Sequence, residues 1–444
     1  MEEHHLTKFL KNPKRALLRL SAPIVVAMLV QTLYSIVDTA WVGRLGPSAI
    51  AALTFTYPIY FIIIAINSGI SSGMGSRIAR FIGEKKQKAA ENTAVHGLII
   101  AIAAAIVFFA VFFPLQKQLF YIFGAEQSVI ALAKSYLSII LMGIFIMLPA
   151  YVLDEIFVSQ GDTKTSMKVQ VTGLVTNMVL DPIFIYVFKL GVAGAAIATN
   201  ISIFLTLILY IYYLRKASLL KVNFKCFKFS FGILKEILSV GSPASFMLLI
   251  ISGYIIIINH FMSHYGTAYV ATFGIVNELE SIATMPVLAL SIAMLTMVGM
   301  FFGARKYRIM KDVSWFGIIV GVSYSSLIGI ILFIVPSLFI RIFTNDLSLI
   351  AITIPYLRLD ILTFPLMAIV MCVTRIMQGM GYGLPSFIIT LVRIVGVAVP
   401  LGYVFVFVLG YSYLYVPVAM VLAGLAASAL SLFWFRLRIR KTEG

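Results

Sequence analysis

Residues 97–114 read GLIIAIAAAIVFFAVFFP, and no Asp, Glu, Lys or Arg interrupts the chain between Glu91 and Lys117. A bilayer core takes about 20 apolar residues per spanning helix, so this stretch alone is long enough to cross one. Working outward, similar stretches recur almost from end to end. Twelve apolar segments fall at roughly 20–43, 50–78, 92–114, 128–157, 167–188, 192–214, 239–263, 270–301, 313–339, 348–376, 385–408 and 413–435. Backbone groups in lipid must be bonded within the segment or within a closed barrel. The runs are too long for barrel strands and lack strict alternation, so the expected fold is an all-α polytopic membrane protein with twelve transmembrane helices. Composition agrees: 61% of the 444 residues are hydrophobic and only 11% charged, against about 25% charged in soluble domains.

The net charge of +17 does not indicate a nucleic-acid partner, because the basic residues sit in short gaps between apolar runs. They gather on one side: Lys8, Lys11, Lys14, Arg15 and Arg19 before span 1; Arg77, Arg80, Lys85, Lys86 and Lys88 between spans 2 and 3; Arg215, Lys216, Lys221, Lys225, Lys228 and Lys235 between spans 6 and 7; Arg305, Lys306, Arg308 and Lys311 between spans 8 and 9; and Arg436, Arg438, Arg440 and Lys441 at the end. The opposite side has only scattered ones, such as Arg44, Lys117, Lys189 and Arg341. The positive-inside bias puts both termini in the cytoplasm. The N-terminus lacks a small-residue cleavage pattern and reads as a tail rather than a signal peptide. Cys226 and Cys372 are too few for a disulfide framework or a metal cluster.

An internal repeat organises the chain. At a shift of 220, Pro23 meets Pro243, Gly46 meets Gly266, Ala51 meets Ala271, Gly83 meets Gly303, Lys85-Lys86 meets Arg305-Lys306, Phe123 meets Phe343 and Tyr136 meets Tyr356. Near 218, Gln160-Gly161 meets Gln378-Gly379 and Pro182 meets Pro400. Six helices per half give both halves the same orientation, a transporter architecture. The expected division is residues 1–215, a cytoplasmic linker at 216–238, and 239–444.

Ionisable residues inside spans are costly, and each is a functional candidate. Asp38 in span 1 aligns with Ile258 and Asp181 in span 5 with Val399, so the shared fold requires neither acid. Asn177 and Asp181, four apart, share a helix face, and Pro182 removes a backbone donor where the helix can bend. Gln31, Tyr34 and Asp38 form a polar stripe on span 1; Thr199 and Asn200 lie on span 6 and Tyr136 on span 4. Two carboxylates with amide and hydroxyl oxygens suit H⁺ or Na⁺, since hard cations favour oxygen ligands; the competing reading is a hydrogen-bonded lock between helices. In the second half, Glu278, Glu280, Asp360, Arg375 and Arg393 form a possible polar site, their opposite signs suggesting ion pairs. Asp154 and Glu155 read as solvated. His260 and His264 have metal-ligand spacing but no third ligand nearby, and read as interfacial side chains. There is no phosphate loop, H-E-x-x-H or G-x-S-x-G motif, so no cofactor and no enzyme activity are expected.

The chain resembles the multidrug and toxic compound extrusion (MATE) family over all twelve spans. The resemblance rests on Val37-Asp38-Thr39-Ala40-Trp41-Val42-Gly43-Arg44-Leu45-Gly46, Gln160-Gly161-Asp162-Thr163, Asn177-x-x-x-Asp181-Pro182 and Gly194-Ala195-Ala196-Ile197-Ala198-Thr199. The carboxylates are most similar to the archaeal and DinF-like branch, which implies a cation site at Asp38, Asn177, Asp181 and Thr199, a substrate cavity lined by Gln31, Tyr34 and Tyr136, and bending of span 1 at Pro23. The NorM-like branch carries a span 7 glutamate and a span 10 aspartate where this chain has Met247-Leu248-Leu249-Ile250-Ile251 and Pro365-Leu366-Met367-Ala368. The implied activity is export of lipophilic or cationic organic compounds against inward H⁺ or Na⁺ by alternating access, in the plasma membrane, by a monomer needing no protein partner beyond its lipids. The alternative within the superfamily is a flippase for lipids or lipid-linked sugars, which would line its cavity with several cationic residues.

Overall fold

The computed structural model describes residues 9–222, 224 and 227–443; Lys8, Lys225 and Cys226 lie outside them. Helices follow one another as α1 Pro13–Gly43, α2 Pro47–Gly83, α3 Gln87–Ile122, α4 Gln127–Ser159, α5 Thr163–Val187, α6 Gly191–Lys216, α7 Phe231–Ser263, α8 Thr267–Gly303, α9 Tyr307–Ile334, a short α10 Pro336–Ile340, α11 Leu347–Asp360, α12 Thr363–Gly379, α13 Leu384–Val408 and α14 Tyr415–Glu443. No strand occurs among the described residues. Among the described residues eleven helices are long and apolar enough to span a membrane, and the α11–α12 pair makes a twelfth span if counted as one.

The span expected at 348–376 is broken in two: α11 and α12 are bent by 47°. The break follows Asp360, whose carbonyl accepts the Thr363 hydroxyl at 2.7 Å. A backbone carbonyl freed at membrane depth needs such a partner, and the threonine supplies it locally.

The opening stretch shows how sequence becomes packing. On α3, Ala90, Ala94, Leu98, Ala101, Ala105 and Phe108 are buried at spacings of three and four, one helical face. Ile99, Ile102, Ile106 and Val107, on the other side, are exposed. For a helix in lipid, exposed apolar side chains cost nothing, and small residues on the inner face let helices approach closely.

The chain forms two compact units, Ala22–Gly241 and Ser242 onward together with the start of α1 up to Ser21. In the first, α4 packs against α2, α3 and α6; in the second, α12 packs against α8, α9 and α14. The division differs from the expected one at both ends. The start of α1 belongs with the second unit, where Lys14 lies over the Phe316 ring at 5.5 Å and Leu17 packs by Gly317. The linker belongs with the first unit, because side chains of α3 grip its backbone. Gln87 donates to the Leu219 carbonyl at 2.6 Å, Glu91 accepts from the Lys221 N–H at 2.9 Å, and Asn92 both accepts from and donates to Lys228, at 3.1 and 2.8 Å. His96 Nε2 accepts the Ser230 N–H at 3.0 Å, and its ring lies between Phe227 and Phe229. Just beyond, Glu236 holds Arg77 and Arg80, each at 3.0 Å. His96→Ala removes an acceptor and an aromatic anchor together, so trypsin is expected to cut at the exposed Lys221 and Lys228 several-fold faster, local opening being what limits such cleavage; an unchanged cleavage rate in a timed digest counts against this role for the histidine.

The repeat is written in the backbone. Gly46 and Gly266 both have positive φ (107° and 119°), as do Lys85 and Arg305 (59° and 56°). The turn after α4 corrects the 218 register. Gly161 (φ 84°) corresponds to Gly381 (φ 92°), because Gly161 N–H bonds Val158 C=O just as Gly381 N–H bonds Gln378 C=O. Gly379 is instead helical and abuts the Leu295 carbonyl. Further on, wide π-type turns match at Ile183–Val187 and Val404–Val408, where Phe188 N–H bonds Ile183 C=O and Leu409 N–H bonds Val404 C=O. That is a shift of 221, so the backbone counterpart of Asp181 is Gly402 rather than Val399. The cause is another π-type turn in α13, Val392–Ala398, with no counterpart in α5. A π turn takes up one extra residue, which accounts for the change of register.

Candidate cation and substrate site

Within the first unit a cavity of about 340 Å³ opens between α1, α2, α4 and α6. Gln31, Tyr34 and Asp38 line it from α1, as their shared helical stripe requires, with Tyr136 from α4 and Thr199 from α6. Asn177 and Asp181 lie behind the wall on α5, both fully buried. With its amide turned to satisfy both neighbours, Asn177 donates to Asp181 Oδ2 at 3.0 Å and accepts the Thr199 N–H at 3.0 Å. The Thr199 hydroxyl is anchored on the Ala195 carbonyl at 3.0 Å. Asp181 Oδ1 is buried without a hydrogen-bond partner. Asp38 and Asp181 lie close enough to act on one another electrostatically, and the charges of both reach Tyr34 and Tyr136.

The local fold presents these groups through two devices. Gly194 lets α6 lie against the π-type turn that follows Asp181: a Cβ there would stand 2.6 Å from the Phe184 carbonyl carbon and oxygen. Gly143 on α4 leaves room for the Asn200 amide, which donates to the Ile139 carbonyl at 2.6 Å. Asn200 therefore braces α6 against α4 and does not line the cavity.

Among the described residues, no Lys or Arg lines this cavity. Its unremarked members are Tyr57 and Tyr60 on α2, with Ser35 and Thr54. A search for intramembrane charge passes over them, although Thr54, Tyr57 and Tyr60 at steps of three form a readable hydroxyl stripe.

The second-unit residues separate. Glu280 and Arg393 line one cavity of about 330 Å³, and Asp360 is buried, with Glu280 acting on it electrostatically. Glu278 is exposed on α8. Arg375 Nη1 donates to Gln378 at 3.1 Å. The expected pairing of Glu280 or Asp360 with Arg393 does not form: among the described residues no salt bridge within 4.0 Å joins them. Asp154, read as solvated, is instead enclosed, accepting hydrogen bonds from Tyr210, Ser166 and Gln170. His260 and His264 flank the Phe407 ring at the end of α7.

With this geometry in view, comparisons with known proteins are informative. The sequence model of the MatE family matches residues 23–183 and again 243–404, one match in each half. Multidrug export protein MepA of Staphylococcus aureus (strain NCTC 8325 / PS 47) is 27% identical over 401 residues, 88% of each chain. A solved MOP superfamily transporter from Pyrococcus furiosus superposes with a TM-score of 0.92 at 30% identity over 97% of both chains. A MATE structure in a bent conformation gives 0.93 at 30% identity, over 97% of this chain and 96% of that one. Two family matches in register with the internal repeat, and full-length structural agreement, place this multi-pass membrane protein among transporters rather than enzymes: the chain belongs to the multidrug and toxic compound extrusion (MATE) family.

Proposed function

We propose that the chain is an antiporter that exports lipophilic organic cations in exchange for H⁺ or Na⁺ bound at Asp38 and Asp181. The observation that carries this reading is an acidic pair, Asp181 fully buried with an unpartnered oxygen and Asp38 half-buried on the wall of a cavity that, among the described residues, no basic side chain lines. A carboxylate held away from water demands a compensating cation or a proton. The cavity's tyrosines offer aromatic faces to organic cations. A cation at the acidic pair and a cationic compound in the cavity then compete for the same negative charge, and that competition is the differential affinity coupling requires. The relative named a multidrug export protein supports broad export of this kind. The acting unit is a monomer in the plasma membrane, and its basic loops put both termini in the cytoplasm.

The test uses purified protein in liposomes loaded with ethidium, with H⁺ and Na⁺ gradients imposed separately. One gradient is expected to accelerate efflux well above the gradient-free rate. Efflux from folded protein that ignores both gradients overturns the antiport reading. The superfamily's lipid-flippase alternative expects several cationic side chains in the cavity, and among the described residues none lines the first-unit cavity.

A further inference from the structure

The second-unit cavity is the structural repeat of the first. At the shift of 220, Tyr254 stands where Tyr34 stands and Glu280 where Tyr60 stands, and all four line their cavities. Asp360 takes the place of Ile140. The chemistry, however, has changed. Asp38 and Asp181 have no acidic counterparts; in their stead the second cavity has a carboxylate on α8 and a guanidinium on α13.

Glu280 and Arg393 act on each other electrostatically, but among the described residues neither has an ion-pair partner within 4.0 Å. Arg393 Nε is buried without a hydrogen-bond partner, and Nη1 has only the Met367 sulfur, at 2.6 Å. Both oxygens of Asp360, which is 1% exposed, also lack partners. Between Glu280 and Arg393 the wall is apolar or neutral, with Asn277, Ser281 and Thr284 along α8. Arg393 lies in the π-type turn Val392–Ala398 that the first half lacks, and such turns recur at functional sites.

From this geometry we propose that the second-unit cavity binds an amphoteric organic solute, its ammonium toward Glu280 and its carboxylate on Arg393. A simple cation would pair Glu280 but leave the guanidinium uncompensated; a simple anion would do the reverse. A ligand carrying both charges satisfies both, and guanidinium is the side chain best shaped to grip a carboxylate. At about 330 Å³ the cavity is at the small end of the range for ligand pockets, which suits an amino-acid-sized head group. The site is independent of the antiport reading.

The test is equilibrium binding to the full-length protein in lipid nanodiscs without any gradient. The fluorescent probes are Nε-dansyl-lysine, its methyl ester, which keeps only the ammonium, and its α-N-acetyl derivative, which keeps only the carboxylate; empty nanodiscs supply the background. The zwitterion is expected to bind at least about tenfold more tightly than either relative, roughly one paired charge. Arg393→Gln should abolish its advantage over the ester, and Glu280→Gln its advantage over the acetyl derivative. Equal affinity for zwitterion and ester, measured on the unsubstituted protein, overturns the proposal whether or not the variants fold. So does zwitterion binding that survives both Arg393→Gln and Glu280→Gln, or the absence of zwitterion binding.

Discussion

Asp38→Asn and Asp181→Asn are each expected to lower gradient-driven ethidium efflux by one to two orders of magnitude, roughly the span of a coupling free energy between two ligands. Asparagine keeps the size of aspartate and one acceptor oxygen, but removes the charge and replaces the second oxygen by a donor. Asp38 lines the cavity directly, so its loss should also weaken binding of the organic cation. Asp181 acts from behind the wall, fully buried and fixed by Asn177, so its loss should fall on the response to the gradient more than on dye affinity. Dye binding and gradient response measured side by side on the two variants would separate these roles. Wild-type efflux from Asp38→Asn would end the assignment of this residue to the coupling site.

Gly194→Ala is expected to have a large effect although it touches no charge. The new methyl would stand 2.6 Å from the Phe184 carbonyl carbon and oxygen and 2.9 Å from the Ile185 nitrogen. These are backbone atoms that cannot rotate away, so α5 or α6 must move. Overpacking of this kind costs about 1–3 kcal/mol, and several degrees of thermal stability should go with it. Because the displaced turn begins immediately after Asp181 and Pro182, efflux should fall as well. Gly253→Ala is the matched comparison: nothing lies within 4 Å of a Cβ there, and both melting temperature and efflux should stay at wild-type values. Equal melting temperatures for the two variants would mean that the α5–α6 contact relaxes freely.

The helices were legible because lipid leaves the backbone few choices. A run such as 97–114 can only be a spanning helix, and its buried alanines fall on one face because helices pack that way. The acids and the polar stripe of α1 were legible for a related reason: charge and amide at membrane depth stand out against apolar sequence. Tyr57 and Tyr60 escaped because tyrosine is ordinary in a span and declares itself only by what it faces. The bend after Asp360 left little trace, since Pro365 lies beyond it and the freed carbonyl is capped by a threonine that also fits a straight helix. The missing pairing of Glu280 with Arg393 was not legible, because opposite signs on neighbouring helices fix neither distance nor direction. Asp154, near a helix end, looked solvated until Tyr210 and Gln170 from other helices closed over it.

The additional wide turn at Val392–Ala398 bears on how the two halves can be recombined. One residue inserted into a regular helix rotates everything beyond it by about 100°; absorbed in a π-type turn, it leaves Val404–Val408 in phase with Ile183–Val187. Chimeras that exchange equivalent segments therefore need two offsets. Junctions placed before Val392 keep phase at 220, whereas junctions after Ala398 need 221, and a graft made at the wrong offset would turn each transplanted side chain onto a neighbouring face of its helix.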